Sequence, residues 1–178
     1  MEPIQIKDKR FVPFIKEEQI LKEVARVASE INRDLAGKNP LFLAVLNGSF
    51  MFAADLMRGM EMPCEISFVK LASYAGTNST GKVKELVGLT DDIEGRTVVI
   101  VEDIVDTGHT MQHLLATLEK RHPAEIHICT LLLKPDKLKV ELDIPYVAMR
   151  IPNDFIVGYG LDYDGEGRNY RDIYTVVE

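Results

Sequence analysis

A chain of 178 residues, 46% of them apolar, is long enough for one domain spanning 1–178 with a sizeable core. Its 28 acidic side chains against 21 Lys and Arg give a net charge of −7. That charge argues against a nucleic-acid or anionic-membrane surface as the main partner, but not against a phosphorylated small molecule, because the relevant field is local and a metal ion can invert it.

The opening residues Met1 to Arg10 are charged, read as an extended arm that continues to Pro13, and carry no signal-peptide core. No apolar run is long enough to span a bilayer. Between Ile15 and Leu35, Ile20, Leu21, Val24, Val27, Ile31 and Leu35 recur at helical spacing. Leu41 to Leu46 is a strand-length apolar run, Asn47-Gly48-Ser49 a turn, and Phe50 to Met60 a helix with Ser49 as its expected N-cap. Cys64 to Leu71 reads as the next strand, which makes a βαβ unit with a parallel sheet. Residues 72–82 are small and polar and read as a long mobile loop, followed by a short strand from Val83.

The stretch Val98 to Met111, VVIVEDIVDTGHTM, carries the most chemistry. A β-branched run predicts a buried parallel strand. It runs into Glu102, Asp103 and Asp106, then a Thr107-Gly108-His109-Thr110 turn that opens a helix. Ligands of open α/β sheets bind beyond the carboxyl ends of the strands. The backbone N–H groups of residues 107–110 are placed to hold a phosphate at the helix N-terminus. That helix runs to about Arg121, where His122-Pro123 stops it. Ile126 to Leu133 is a strand and Lys134 to Lys137 a loop. Tyr146–Met149, Phe155–Gly158 and Ile173–Val176 are further strands. Cys64 and Cys129 sit beside apolar residues and read as reduced, buried and structural, in a cytoplasmic protein.

The strand, its acids and the turn resemble the signature of the type I phosphoribosyltransferases. Four other stretches, Leu46-Asn47-Gly48-Ser49, Ser73-Tyr74, Leu133-Lys134-Pro135 and Phe155 to Asp162 with Arg168 beyond, are in order and spacing similar to the hypoxanthine–guanine branch of that family. The resemblance runs from about Leu41 to Arg171. It implies a mostly parallel twisted α/β sheet flanked by helices, with a core of about 38–150 and a small hood from about 1–15 and 151–178. It implies purine salvage: transfer of phosphoribose from 5-phosphoribosyl-1-pyrophosphate to a 6-oxopurine, with Mg²⁺, in a homodimer or homotetramer without nucleic-acid or membrane partners.

Roles follow residue by residue from the same resemblance. Glu102, Asp103, Asp106, Thr107, Gly108, His109 and Thr110 would hold the phosphoribosyl group, with Asp106 as the catalytic acid/base at N7 of the purine. Asn47, Gly48 and Arg168 would face pyrophosphate. Lys134, Phe155, Ile156 and Asp162 would form the purine site, Ser73 and Tyr74 a lid, and Asp162, Glu102 and Asp103 the metal ligands. Lys134 has three donors and no acceptor, which suits an exocyclic oxygen and rejects an amino group. The acids also argue for a divalent ion on their own. Each carboxylate facing an anionic substrate at 4 Å repels it by about 4 kcal/mol at an effective dielectric of about 20. Asn47 departs from the family, which has a basic residue there, so its pyrophosphate contact is expected to be backbone alone.

Other motifs fail on their chemistry. Gly76 to Lys82 approaches a nucleotide-binding P-loop, but Val83 stands where Ser or Thr should hold the metal and a strand follows instead of a helix. Asp162-Tyr163-Asp164-Gly165 matches the start of a phosphatase motif, but Glu166 occupies the Thr or Val position. His109 and His113 lack a third zinc ligand. An RNA-binding regulator on the same fold would need a basic patch.

Overall fold

The computed structural model describes residues 2–74 and 83–177. Its elements are β1 (Ile4–Ile6), β2 (Lys9–Ile15), α1 (Glu17–Asp34), β3 (Leu41–Leu46), α2 (Phe50–Arg58), β4 (Glu65–Tyr74), β5 (Val83–Val87), β6 (Thr97–Val105), α3 (His109–Glu119), β7 (Glu125–Leu133), β8 (Tyr146–Arg150), β9 (Ile156–Val157) and β10 (Ile173–Val177). The larger sheet has the order β5-β4-β3-β6-β7-β8. Its strands pair in parallel except β5, which runs antiparallel to β4 along the edge. This is the mostly parallel α/β sheet expected from the sequence.

Strand alternation explains the two-sided core. Val99 and Val101 of β6 pack with Phe42 and Ala44 of β3 against α1 and α2. Their neighbours Val98 and Ile100 face the opposite way, with Leu41 and Leu43, onto Met111, Leu114 and Leu118 of α3. Ile20, Val24, Val27 and Ile31 form the buried stripe of α1. Each such side chain contributes about 2 kcal/mol by leaving water.

A second sheet, β1-β2-β10-β9, is antiparallel and built from the two chain ends. Asp172, just before β10, accepts a 2.6 Å hydrogen bond from the backbone N–H of Glu17. A carboxylate placed at the N-terminus of α1 suits the helix dipole and ties the second sheet to that helix.

Four local expectations are corrected. The amino-terminal arm is a β-hairpin, because Lys7 takes a left-handed φ of 51° and turns the chain between β1 and β2. β4 reaches Tyr74, so residues 72–74 pair with β5 instead of opening a loop; the rest of that loop, with the P-loop-like stretch, lies outside the described residues. Ser49 precedes α2 but makes no side-chain cap. Its backbone is helical (φ −85°, ψ −2°), not the extended form that aims a cap hydroxyl at the first turn. Residues Pro135–Lys137 form a 3-10 turn, not an irregular loop. Cys129 is fully buried while Cys64 is only partly so, and neither is in a disulfide.

Candidate active site

Strand order reverses between β3 and β6: α2 carries the chain from β3 to β4 on one side, and α3 carries it from β6 to β7 on the other. A crevice opens at the carboxyl ends of strands flanking such a switch point. Asn47-Gly48 leaves β3 on one side of it, and Glu102, Asp103 and Asp106 occupy the end of β6 on the other.

Gly48 is where these two strands meet. The Leu46–Asn47 peptide is cis. Gly48 has no room for a side chain, because a Cβ would overlap the Asp103 carboxylate. Gly160 in turn lies against the Gly48 carbonyl, with no room for a Cβ of its own. Two glycines therefore bring the β3 loop, the β6 acids and the segment before Asp162 together. Gly48→Ala is expected to displace Asp103 and raise the KM for the phosphoribosyl donor at least tenfold, with thermal melting little changed. Steady-state kinetics with donor varied at saturating base test this, and an unchanged donor KM refutes it.

Beyond β6, Gly108 adopts φ 90° and starts α3. A Cβ there would strike Val140 and Leu138 side chains at 2.7 and 2.9 Å, so glycine also lets the 138–142 segment cover the turn. The Thr107 carbonyl accepts a 2.8 Å hydrogen bond from the Lys139 N–H, which fixes the turn from the same side. A cavity of about 220 Å³ is lined by residues 102–108, Thr110 and Met111. His109 is exposed and is not among the residues that line it.

A second cavity, about 250 Å³, is lined by Asp103, Ile104, Asp106, Lys134, Phe155, Ile156, Leu161 and Asp162. The two share Asp103, Ile104 and Asp106, so they adjoin along the end of β6. Lys134 follows β7, and its N–H donates to the Val105 carbonyl at 3.0 Å. It is buried, and desolvation holds its amine below the usual lysine range, with the Asp106 charge opposing that shift. Phe155, just before β9, remains half exposed. Asp162 caps the turn after it by accepting from the Gly165 N–H at 2.8 Å.

Asp106 is bracketed by two lysines. Lys134 Nζ stands 3.9 Å from Oδ2, and Lys137 Nζ stands 3.1 Å from Oδ1 and 3.3 Å from Oδ2. The buried Oδ1 receives no aligned hydrogen bond. Lys137 was not singled out in the sequence. A signal was present: in a 3-10 turn, residues three apart face the same way, so Lys134 and Lys137 around Pro135 belong on one side.

The acids are held differently. Glu102 is buried and accepts from the Asp103 N–H at 3.0 Å, and Asp103 accepts from the Ile104 N–H at 2.7 Å. Arg168 folds back on residues 160–162, with Nη2 3.1 Å from Asp162 and Nη1 donating to the Gly160 carbonyl at 2.7 Å. It lines a separate groove with Met51 and Gln5, not the two cavities around Asp106. Asn47 is exposed. Ser73 and Tyr74 end β4, but their side chains lie outside what the structure describes. Asp55 and Tyr159 went unnoticed in the sequence. The Tyr159 hydroxyl donates to Asp55 at 2.5 Å and pins residues 158–161 to α2; burial, reinforced by that bond, raises its pKa. Among the described residues no three His, Cys, Asp or Glu side chains gather to hold a metal, and no helix is long and apolar enough to cross a membrane.

Residues 15–164 match the family model described as the phosphoribosyl transferase domain. The chain is 45% identical over 163 residues to a hypoxanthine-guanine phosphoribosyltransferase of Mycobacterium avium, covering 88% of this chain and 79% of the relative. It is 41% identical over 158 residues to the enzyme of that name from Streptococcus mutans, covering 88% and 86%. The crystal structure of a Bacillus anthracis hypoxanthine-guanine phosphoribosyltransferase superposes with a TM-score of 0.83 at 39% identity, covering 97% of this chain and 99% of that one.

Proposed function

Since the chain belongs to the phosphoribosyltransferase family, we propose that it transfers the phosphoribosyl group of 5-phosphoribosyl-1-pyrophosphate to hypoxanthine or guanine, giving IMP or GMP and pyrophosphate. The observation that carries this reading is the pair of adjoining cavities joined at Asp106. One is walled by the acids and the helix N-terminus. The other is walled by a buried lysine, an aromatic ring and apolar side chains.

In this reading the 5′-phosphate rests on the amides of residues 107–110, where the α3 dipole favours an anion. Glu102 and Asp103 accept hydrogen bonds from the ribose hydroxyls. The purine lies against Phe155 with its exocyclic oxygen toward Lys134 and its edge along the Ile156 backbone. N9 attacks the anomeric carbon, the bond to pyrophosphate breaks, and the N7 proton passes to Asp106. Arg168 reaches the pyrophosphate by leaving Asp162, and Asn47 and Gly48 offer backbone groups to it. Ser73 and Tyr74 are the lid residues of this reading, and residues 75–82 after them lie outside the described residues.

The donor set is all carboxylate, which suits Mg²⁺, an ion that takes one or two protein carboxylates and completes its shell with water and substrate phosphates. Asp162, and Glu102 with Asp103, are the residues that would hold it. Bound there, it would neutralise the pyrophosphate charge as the leaving group departs. Turnover is expected to vanish in excess chelator and return when Mg²⁺ is restored, and undiminished turnover in chelator would contradict the charge argument. A base panel of hypoxanthine, guanine, xanthine and adenine, assayed with donor and Mg²⁺ for nucleotide formation, tests the reading as a whole; no nucleotide from either oxopurine refutes it. Unpaired cysteines fit a cytoplasmic enzyme. Ile66 and Phe68 of β4 and Val87 of β5 expose apolar surface on one sheet face, which a homodimer or homotetramer would cover and light scattering reads directly.

A further inference from the structure

Phe155 is 47% exposed and sits at the entrance to a two-residue strand, a position that does little by itself to fix a ring. It is nonetheless one of three rings in mutual contact. Tyr163 meets it edge-on, with centroids 5.8 Å apart and planes at 87°. Phe11, fully buried in β2, lies 6.3 Å from Phe155 and 6.0 Å from Tyr163. Tilted and edge-to-face pairs at these separations are attractive beyond the area they bury.

Tyr163 is itself held by the amino-terminal hairpin. Its hydroxyl donates to Asp8 at 2.6 Å. The Lys9 ammonium stands 5.7 Å from the centre of its ring. Lys7 donates to the carbonyl of the next residue, Asp164, at 2.8 Å. Three consecutive side chains, Lys7, Asp8 and Lys9, thus clamp one turn at the other end of the chain. They and Phe11 precede residues 15–164, the part that matches the family model.

We propose that this hairpin, acting through Tyr163, positions the Phe155 ring and so sets how tightly the purine base is stacked. The inference rests on the purine reading of the second cavity. Tyr163 and Asp8 are positioning residues in this scheme and touch no substrate. A stacking wall does not sense exocyclic groups, so its loss weakens every purine alike, whereas Lys134 governs the choice between oxygen and amine.

Tyr163→Leu is expected to raise the KM for both hypoxanthine and guanine about tenfold, the upper range for one aromatic pair. The KM for the phosphoribosyl donor and kcat should stay within about twofold. Tyr163→Phe keeps the ring and loses only the Asp8 contact, so it should recover most of the base affinity, leaving a KM about threefold above wild type. Asp8→Ala, a surface change that leaves the core intact, should give the same threefold rise, and combining it with Tyr163→Phe should add nothing further. An unchanged base KM in Asp8→Ala, or a donor KM that rises and a kcat that falls as much as the base KM rises in Tyr163→Leu, overturns the proposal. If the wild-type protein makes no nucleotide from either base, the purine reading itself fails; if it does and the variants keep its base KM, only the wall is refuted.

Discussion

Asp106→Asn is expected to lower kcat by about 10² to 10⁴, the usual contribution of a positioned acid or base, while the KM for the phosphoribosyl donor changes by less than about threefold. The substitution keeps size and one carbonyl oxygen, so the wall shared by the two cavities survives. What is lost is an oxygen that can take a proton. In the wild-type site Oδ1 is buried with no aligned donor, and two lysines stand within 4.0 Å of the carboxylate as counter-charges. An amide in that position faces Lys134 and Lys137 with an NH₂ group or a weaker acceptor, and it cannot carry the N7 proton away. Single-turnover kinetics with saturating donor separate the chemical step from binding. A parallel loss of donor affinity would show that Asp106 holds the sugar and does not serve the base.

Lys134→Ala is expected to collapse base discrimination. Sites built to hydrogen-bond a particular group reject an analogue lacking it by about 10⁴ or more, and the buried Lys134 amine is the donor that would impose this on an exocyclic oxygen. Its desolvation penalises the charge, so an amino group in place of the oxygen sets a donor against a buried ammonium and leaves that donor without an acceptor. With alanine there, kcat/KM for hypoxanthine should fall at least a hundredfold, while the much lower value for adenine should change little or rise. The ratio of the two in one competition assay is the measurement. A preserved ratio would mean that the purine is read elsewhere in the pocket.

The sites of both substitutions are legible in the linear chain, and the reason is local. A strand that buries both faces is apolar along most of its length, so the change from Ile100-Val101 to Glu102-Asp103 marks where β6 begins to line the cavities, although Val105 beyond it is still buried. A glycine at the start of α3 marks a backbone turn. Such signals span few residues and survive in a linear reading. Ser49 shows the limit of that reading: residue type suited a helix cap, but the backbone conformation at that position, set by its neighbours, did not.

The residues alone were enough for the order of elements from α1 to β10, the acids at the end of β6, the turn at residues 107–110 and the lysine after β7, because each depends on periodicity or on a few adjacent residues. Packing settled that Gly48 lies against the Asp103 carboxylate and Gly160 against the Gly48 carbonyl with no room for a Cβ, that Lys137 joins Lys134 around Asp106, and that Phe11 and Tyr163 back the Phe155 ring. Those are contacts between segments far apart in the chain. They exist only once the two sheets have packed and the chain ends have met, and no residue's own preference encodes its distant partner.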